Sequence, residues 1–234
     1  MTQEDTAAPF DWDRIRLAVF DVDGTLYRQS PLRMRMARDM LAQAARTRSW
    51  RHVAVLRAYR HIRETLGDQE VDEFDRVLIA RTAQATATPP EDVRATVAEW
   101  MEDRPLRYVK LSRFPAIEHL FDGLRAHGKA IGILSDYPVA AKLAAMELAA
   151  DHIACAGDAH IGILKPHPRG LQSVIAAAGV RPDETVLIGD RADRDGAAAR
   201  RAGAHALIKA KEPIEGWRTF RHFDDTLFAP ILGR

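Results

Sequence analysis

The run Leu17-Ala18-Val19-Phe20-Asp21-Val22-Asp23-Gly24-Thr25-Leu26 opens with four apolar residues, then sets two carboxylates one residue apart, then a glycine and a threonine. A short apolar run of this kind reads as a buried strand. In open parallel α/β sheets, ligands sit beyond the carboxyl ends of the strands. Asp21 and Asp23 therefore fall where such a fold does its chemistry, and a sharp turn at Gly24 lets both acids converge on one small site.

Downstream, residues 28–107 lose strand signals and take on helical periodicity. Pro31 suits the first turn of a helix, with Met34, Ala37, Leu41, Ala44 and Ala45 sharing one face. A second helix carries Val55, Tyr59, Ile62 and Leu66 inward and ends at Gly67; a third starts near Glu70, with Val71, Phe74, Leu78 and Ala85 inward. Thr88 before Pro89-Pro90 reads as a stop and a new cap. A fourth helix, striped by Val93, Val97, Trp100 and Met101, ends at Arg104-Pro105. From Phe114 helices and strands alternate: helix 115–127 stopped by Gly128, strand 130–134, helix 138–148, strand 153–156, helix 168–178 stopped by Gly179, strand 185–188, helix 196–202 stopped by Gly203, strand 204–208. Such alternation implies parallel pairing through right-handed crossovers. Trp217, Phe220, Phe223 and Phe228 are expected to pack on the core. The fold class is therefore α/β: a doubly wound, Rossmann-like parallel sheet built from residues 1–27 and 108–234, interrupted by an α-helical insert at 28–107.

A chain of 234 residues with 47% hydrophobic and 29% charged residues has the composition of an ordinary soluble domain. A net charge of +1 gives no basic signature for nucleic acid, so none is expected as a partner. One cysteine, Cys155, excludes an internal disulfide and a cysteine-cluster metal site; within an apolar run it reads as a small core residue. Residues 1–13 are polar and acidic, with no signal-peptide pattern, and no apolar run is long enough to span a bilayer. The expectation is a cytoplasmic enzyme, monomeric or homodimeric.

Three further strand ends or loops carry chemistry. Leu134-Ser135-Asp136 ends one core strand, Lys165-Pro166-His167-Pro168 precedes a helix, and Gly189-Asp190-Arg191-Ala192-Asp193-Arg194-Asp195-Gly196 follows a later strand. A phosphate monoester is a dianion that resists attack by a carboxylate, and its hydrolysis is accelerated by enzymes up to ~10²¹-fold. Cations placed in advance must offset that repulsion. Mg²⁺ takes oxygen ligands from one or two carboxylates and keeps sites for water and phosphate, which suits Asp21 and Asp190; Lys165 adds a fixed positive charge and Ser135 a neutral donor. Each motif alone has an ordinary reading: a solvated turn, a surface lysine, a helix cap. A calcium loop fails because Gly24 follows Asp23 directly.

The four motifs in this order resemble those of the haloacid-dehalogenase-type phosphohydrolase superfamily, in the capped phosphatase branch of phosphoglycolate phosphatase-type enzymes, over residues 17–208. The resemblance implies that Asp21 is a nucleophile forming an aspartyl-phosphate and that Asp23 is the general acid–base, whose main-chain carbonyl also binds Mg²⁺. It implies that Asp21, Asp23, Asp190 and Asp195 form the metal site, with Asp193 ranked behind Asp195, and that Gly24, Thr25, Ser135, Asp136 and Lys165 surround the phosphate of a small phosphorylated substrate. Dehalogenases of the superfamily lack the second acid, so Asp23 argues for phosphoryl chemistry; a phosphomutase, or a non-catalytic anion-binding or scaffold protein, are the alternatives.

The resemblance makes the insert a cap that closes on the site and selects substrate. Its first half is rich in arginine and its second half in acid, so the halves are expected to pair across the bundle. Arg28 and Arg33, just after the first motif, are the candidates for holding a second anionic group. His167 reads as structural, and Tyr137 is expected at the site entrance.

Overall fold

In the computed structural model, which describes residues 9–233, strands β1 (Leu17–Phe20), β2 (Ala130–Ser135), β3 (His152–Cys155), β4 (Thr185–Gly189), β5 (His205–Lys209) and β6 (Thr219–Phe220) form one sheet in the order β3-β2-β1-β4-β5-β6. Every pairing is parallel. β1 lies at the centre, all four of its residues fully buried. Leu17 and Val19 face one apolar cluster, with Leu171 and Val174 of α8 (Arg169–Ala178) and Ala198 of α9 (Ala197–Ala202). Ala18 and Phe20 face the other, with Leu120 and Phe121 of α6 (Ile117–Ala126) and Phe220, Phe223 and Phe228 of the tail. A strand covered on both faces must be apolar at every position, which is why β1 shows no alternation.

The chain runs outward from β1 to β2 and β3, then returns to place β4 on the other side of β1. The order therefore reverses between β1 and β4, the point at which open α/β sheets bind ligands. Phe20 stands opposite Ile188, and the Asp21 N–H donates to the Ile188 carbonyl at 2.9 Å, extending the ladder to the first acid. Gly179 and Gly203 close α8 and α9 in left-handed conformation, as their positions predict. β6 is a departure: two residues are too short to read as a strand in the sequence. Trp217 is partly buried against the α8–α9 cluster, packed over Gly196.

Between β1 and α6 the chain forms α1 (Gln29–Thr47), α2 (Arg51–Asp68), α3 (Phe74–Thr86), α4 (Pro90–Val97) with a π-helical turn at Ala98–Asp103, and α5 (Leu106–Ser112). It leaves and returns side by side: Arg28 N–H donates to the Ser112 carbonyl at 2.8 Å and Phe114 N–H to the Leu26 carbonyl at 3.0 Å. Four features here differ from the periodicity reading. α1 starts at Gln29 and buries Leu32, Met36 and Ala44, leaving Met34 and Leu41 72% and 57% exposed and Ala37 and Ala45 in solvent. Both stripes have helical spacing; the tied entry at Tyr27 and Arg28 decides which one turns inward. α2 ends one residue after Gly67, as expected, and a Cβ at Gly67 would come within 2.7 Å of Arg194 Nη1. Ala85 is exposed, Pro89 rather than Thr88 precedes α4, and α5 has no counterpart among the four expected helices.

Candidate active site

Asp21 follows β1 directly and is buried. Its Oδ1 accepts from Lys165 Nζ at 2.6 Å and its Oδ2 from Thr25 Oγ1 at 3.1 Å. Lys165 reaches Asp195 Oδ1 at 2.6 Å as well, so one buried ammonium bridges two carboxylates. The other Asp195 oxygen accepts the Arg191 N–H at 3.0 Å. Asp190 follows β4, the neighbour of β1, and oxygens of Asp21, Asp190 and Asp195 all lie within 4.8 Å of one another. Asp193 points away: it pairs with Arg191 at 2.8 Å and its side chain is 66% exposed.

Gly24 has φ of +109°, a conformation closed to residues with a Cβ, and a Cβ there would overlap Asp190 Oδ2. The turn the sequence requires is thus also what lets the first and fourth motifs close on each other.

Burial, reinforced by neighbouring acids, raises the proton affinity of Asp21 and Asp190. Burial first, then Asp195, push Asp190 up to about 6 against the opposing pull of Lys165 and Arg191. Burial lifts the Asp21 carboxyl well above its ordinary range; Lys165 opposes this, and Asp195 and Asp190 reinforce it. Burial alone would lower the Lys165 ammonium, but Asp195 and Asp21 outweigh it and hold the group well above the ordinary lysine value. Three ionised carboxylates and one ammonium leave a net charge of −2 among hard oxygen donors, a set that fits a divalent hard cation such as Mg²⁺.

Asp23 sits in different surroundings. Lys142, on α7 (Ala140–Met146), donates to its two oxygens at 2.8 and 3.1 Å, and the Tyr27 hydroxyl donates to Oδ1. Burial pushes the Asp23 carboxyl up, yet Lys142 and Tyr27 outweigh it and leave the group below the ordinary value. The Asp23 main-chain carbonyl accepts from Gln29 Nε2. Lys142 and Tyr27 carry no motif signal. Lys142 in Ala140-Ala141-Lys142-Leu143 reads as an outward helix residue, and only the path from β2 into α7 turns it inward.

The remaining expected residues are placed as follows. Ser135 is buried at the end of β2, and its Oγ accepts the Tyr137 N–H at 3.1 Å. Asp136 accepts the Lys165 N–H at 3.3 Å, so what it can offer an anion is its own backbone N–H. Arg28 lies over the Phe114 ring at 5.4 Å, and Arg33 donates to Gln29 Oε1; both are exposed at the rim of the cleft. His167 is partly buried, its Nδ1 accepting the Arg169 N–H at 3.2 Å. Cys155 is half-buried in β3, with burial and then Asp158 pushing its thiol up to about 11.

These groups share one cleft of about 1340 Å³, lined on the sheet side by Asp21, Asp23, Lys165 and Asp190 and on the helical side by Met36, Arg60 and Arg63. Tyr137 lines it too, as expected. The acids of the helical segment divide: Glu73, Asp75, Asp92 and Glu99 pair with the segment's own arginines, Arg51–Asp92 joining its two halves, and Glu64, Asp68, Glu70 and Asp72 pair with the sheet domain. Arg194 holds Asp68 at 2.5 Å and Glu64 at 3.2 Å; Arg191, Arg201 and Arg169 hold Glu64, Glu70 and Asp72 at 3.0, 2.5 and 2.7 Å.

The model of the haloacid dehalogenase-like hydrolase family matches residues 15–203. A glyceraldehyde 3-phosphate phosphatase of Methanopyrus kandleri is 28% identical over 195 residues, 81% of each chain. Among solved structures, the HAD-hydrolase YfnB of Bacillus subtilis, solved bound to magnesium, superposes with a TM-score of 0.65 at 15% identity, covering 94% of this chain and 100% of that one. A 2-haloacid dehalogenase of Pseudomonas syringae pv. Tomato does so at 0.64 and 18%, covering 93% and 97%. At such identities the structural likeness speaks for the fold alone. No described helix is long and apolar enough to cross a membrane.

Proposed function

The chain belongs to the haloacid dehalogenase-like hydrolase family, and from that premise we propose that it is a Mg²⁺-dependent phosphatase of a small phosphomonoester, working through an aspartyl-phosphate on Asp21 with Asp23 as general acid–base. The observation that carries this is the separation of the two motif-one acids. Asp21 lies in the acidic cluster with Lys165, and Asp23 stands outside it, held by Lys142 and Tyr27. A nucleophile and a proton carrier need such different surroundings. The Methanopyrus kandleri relative, named for a phosphatase activity, points the same way.

Asp21 Oδ attacks phosphorus, the ester oxygen departs with a proton from Asp23, and water then attacks the same phosphorus, passing its proton to Asp23 and freeing Asp21. Lys165 holds Asp21 in place and offsets charge on the phosphoryl oxygens; Ser135 and the backbone N–H groups after it donate to them. Asp21 and Asp190, with the Asp23 carbonyl, would hold Mg²⁺, which neutralises phosphoryl charge when bound. Asp195, already engaged by Lys165 and Arg191, positions this set. In the free enzyme Lys142 and Tyr27 favour ionised Asp23, the form that accepts the water proton. The acid role requires the leaving oxygen to displace part of that grip; Oδ2, held by Lys142 alone at 3.1 Å, is the freer oxygen. Helices α1–α5 serve as the cap, and their paired entry and exit at Leu26–Arg28 and Ser112–Phe114 support an insert bounded near 28 and 112.

Phosphate release from a panel of phosphomonoesters, with Mg²⁺ and with chelator, tests this for the native protein and Asp21→Asn. Metal-dependent release abolished by the substitution is expected. Release that survives Asp21→Asn refutes the nucleophile, and isomerised sugar phosphate without release moves the reading to a phosphomutase.

A further inference from the structure

Over residues 28–63 the chain carries ten arginines and one acid, Asp39. Of those arginines only Arg51 has a carboxylate within ion-pair distance among the described residues, Asp92 at 3.9 Å, and Asp39 accepts from the Tyr108 hydroxyl at 2.8 Å. The arginines later in the same helical segment are treated differently: Arg76, Arg94 and Arg104 each hold a carboxylate. On α1 four arginines are exposed. Arg33 and Arg46 donate to the neutral amides of Gln29 and Gln43, and Arg38 and Arg48 have no ion pair among the described residues.

The same helix presents an apolar ridge. Met34, Leu41 and Ala45 are exposed at positions i, i+7 and i+11, on the side opposite the inward Leu32 and Met36. At 3.6 residues per turn Arg38 stands beside this ridge, with Arg33 on one flank and Arg46 on the other. Trp50 follows two residues after the C-cap Arg48, and Leu111 lies on α5, which the Tyr108–Asp39 bond ties to α1. Met34, Leu41, Trp50 and Leu111 are four of the six large apolar side chains exposed among the described residues. Single exposed apolar residues are ordinary, but four gathered on one helix and its immediate neighbours mark a contact surface.

Charge selects what can cover this ridge. A second copy would bring the same arginines and no acid to meet them, so like charge opposes self-association through α1. A protein partner would have to place acids on both flanks along the about 22 Å that residues 33–48 rise. An anionic bilayer supplies diffuse negative charge on both flanks and an apolar layer beneath it, the surroundings that suit a helix with an apolar ridge between arginines. Arginine stems lie along apolar surface while the guanidinium stays among the headgroups.

We propose that the outward face of α1, with Trp50 at its end, docks on an anionic lipid surface. Met34 and Leu41 enter the headgroup boundary, and Arg38, Arg46 and Arg48 lie at the lipid phosphates. Neither Met34 nor Leu41 lines the cleft, whereas Arg33 and Ala37 of the same helix do. Docking therefore leaves the reacting groups untouched and sets the rim of the cleft beside the surface. The inference is independent of the phosphatase reading, because binding is measured without turnover.

The test is co-sedimentation of the full chain with vesicles of phosphatidylcholine alone and of phosphatidylcholine with phosphatidylglycerol, at low and high salt. Binding is expected on the anionic vesicles alone, falling steeply as salt rises. Arg38→Gln/Arg46→Gln should weaken the partition about 10- to 30-fold. Met34→Ser/Leu41→Ser should weaken it by about tenfold or more, which a purely ionic contact would not show. All four side chains are exposed, so Tm should stay at the native value. Arg94→Gln, which breaks a pair with Asp75 away from α1, should leave binding unchanged. Trp50 is the one exposed tryptophan, so emission should move to the blue on binding, and Trp50→Phe should remove that shift. Equal binding to neutral vesicles, no binding at low salt, an unmoved emission, or a partition unchanged in either double variant overturns the proposal. So does a native dimer that Met34→Ser/Leu41→Ser dissociates, which would give the ridge to a second copy.

Discussion

Removing the Lys142 ammonium with Lys142→Met tests the buried pair that sets Asp23 apart. The Lys142 side chain is 6% exposed and that of Asp23 22%, with contacts of 2.8 and 3.1 Å. Breaking a fully buried pair costs about 3–5 kcal/mol, and an exposed pair contributes about 0–1 kcal/mol. With one partner enclosed and the other partly open, the expected loss is about 2–3 kcal/mol. For a chain of this size, each kcal/mol moves Tm by about 2–4 °C, so a fall of roughly 4–12 °C is expected in calorimetry with chelator present. Asp23→Asn should cost a similar amount by stranding Lys142. In the double variant no charge is stranded, and the coupling should be about 1–3 kcal/mol. The pH dependence has a fixed sign. Asp23 is held below its ordinary value, so the pair's contribution is complete above the unfolded carboxylate pKa, and it is lost as pH falls through the lower folded value. The difference between native and Lys142→Met should therefore shrink as the pH falls into the acid range. Losses that add to within about 0.5 kcal/mol, or a difference that stays undiminished in acid, would refute the coupling.

Two further outcomes follow from single residues. Gly24→Ala forces a Cβ onto Asp190 at a φ of +109°, a strain of about 1–3 kcal/mol. It should lower Tm and remove any rise in Tm on adding Mg²⁺, whereas a Mg²⁺ response equal to that of the native protein would show that Asp190 is not held through this turn. Cys155, its thiol pushed up to about 11 by burial and Asp158, should alkylate on the order of 10²-fold more slowly at pH 8 than an ordinary cysteine. A rate profile with its midpoint near the ordinary thiol value would contradict that placement.

The sheet was legible because its central strands β1, β2 and β4 are nearly continuous apolar runs, a pattern that follows when helices cover both faces. The elements that escaped reading lack that excess of signal. β6 is two residues long, and α5 lies between Pro105 and the returning strand with too few turns to show a period. On α1 two stripes compete, and choosing Leu32, Met36 and Ala44 over Met34 and Leu41 requires knowing where Tyr27 and Arg28 are tied. Periodicity states that a helix has a face but not which neighbour receives it.

At the site the division falls between acids and cations. Asp21, Asp23 and Asp190 stand out in sequence because carboxylates directly after apolar strands are hard to explain structurally, and the ends of β1 and β4 meet at the switch point. Lys142, Arg63 and Arg194 sit on helices where a long cationic side chain would ordinarily reach solvent. What buries them is tertiary closure: Lys142 meets Asp23 across 119 positions, and Arg194 meets Asp68 across 126. The arginine-to-acid asymmetry of the helical segment takes its meaning from the same closure. Glu64, Asp68, Glu70 and Asp72 serve as counter-ions for the arginines after the fourth motif and beside the third.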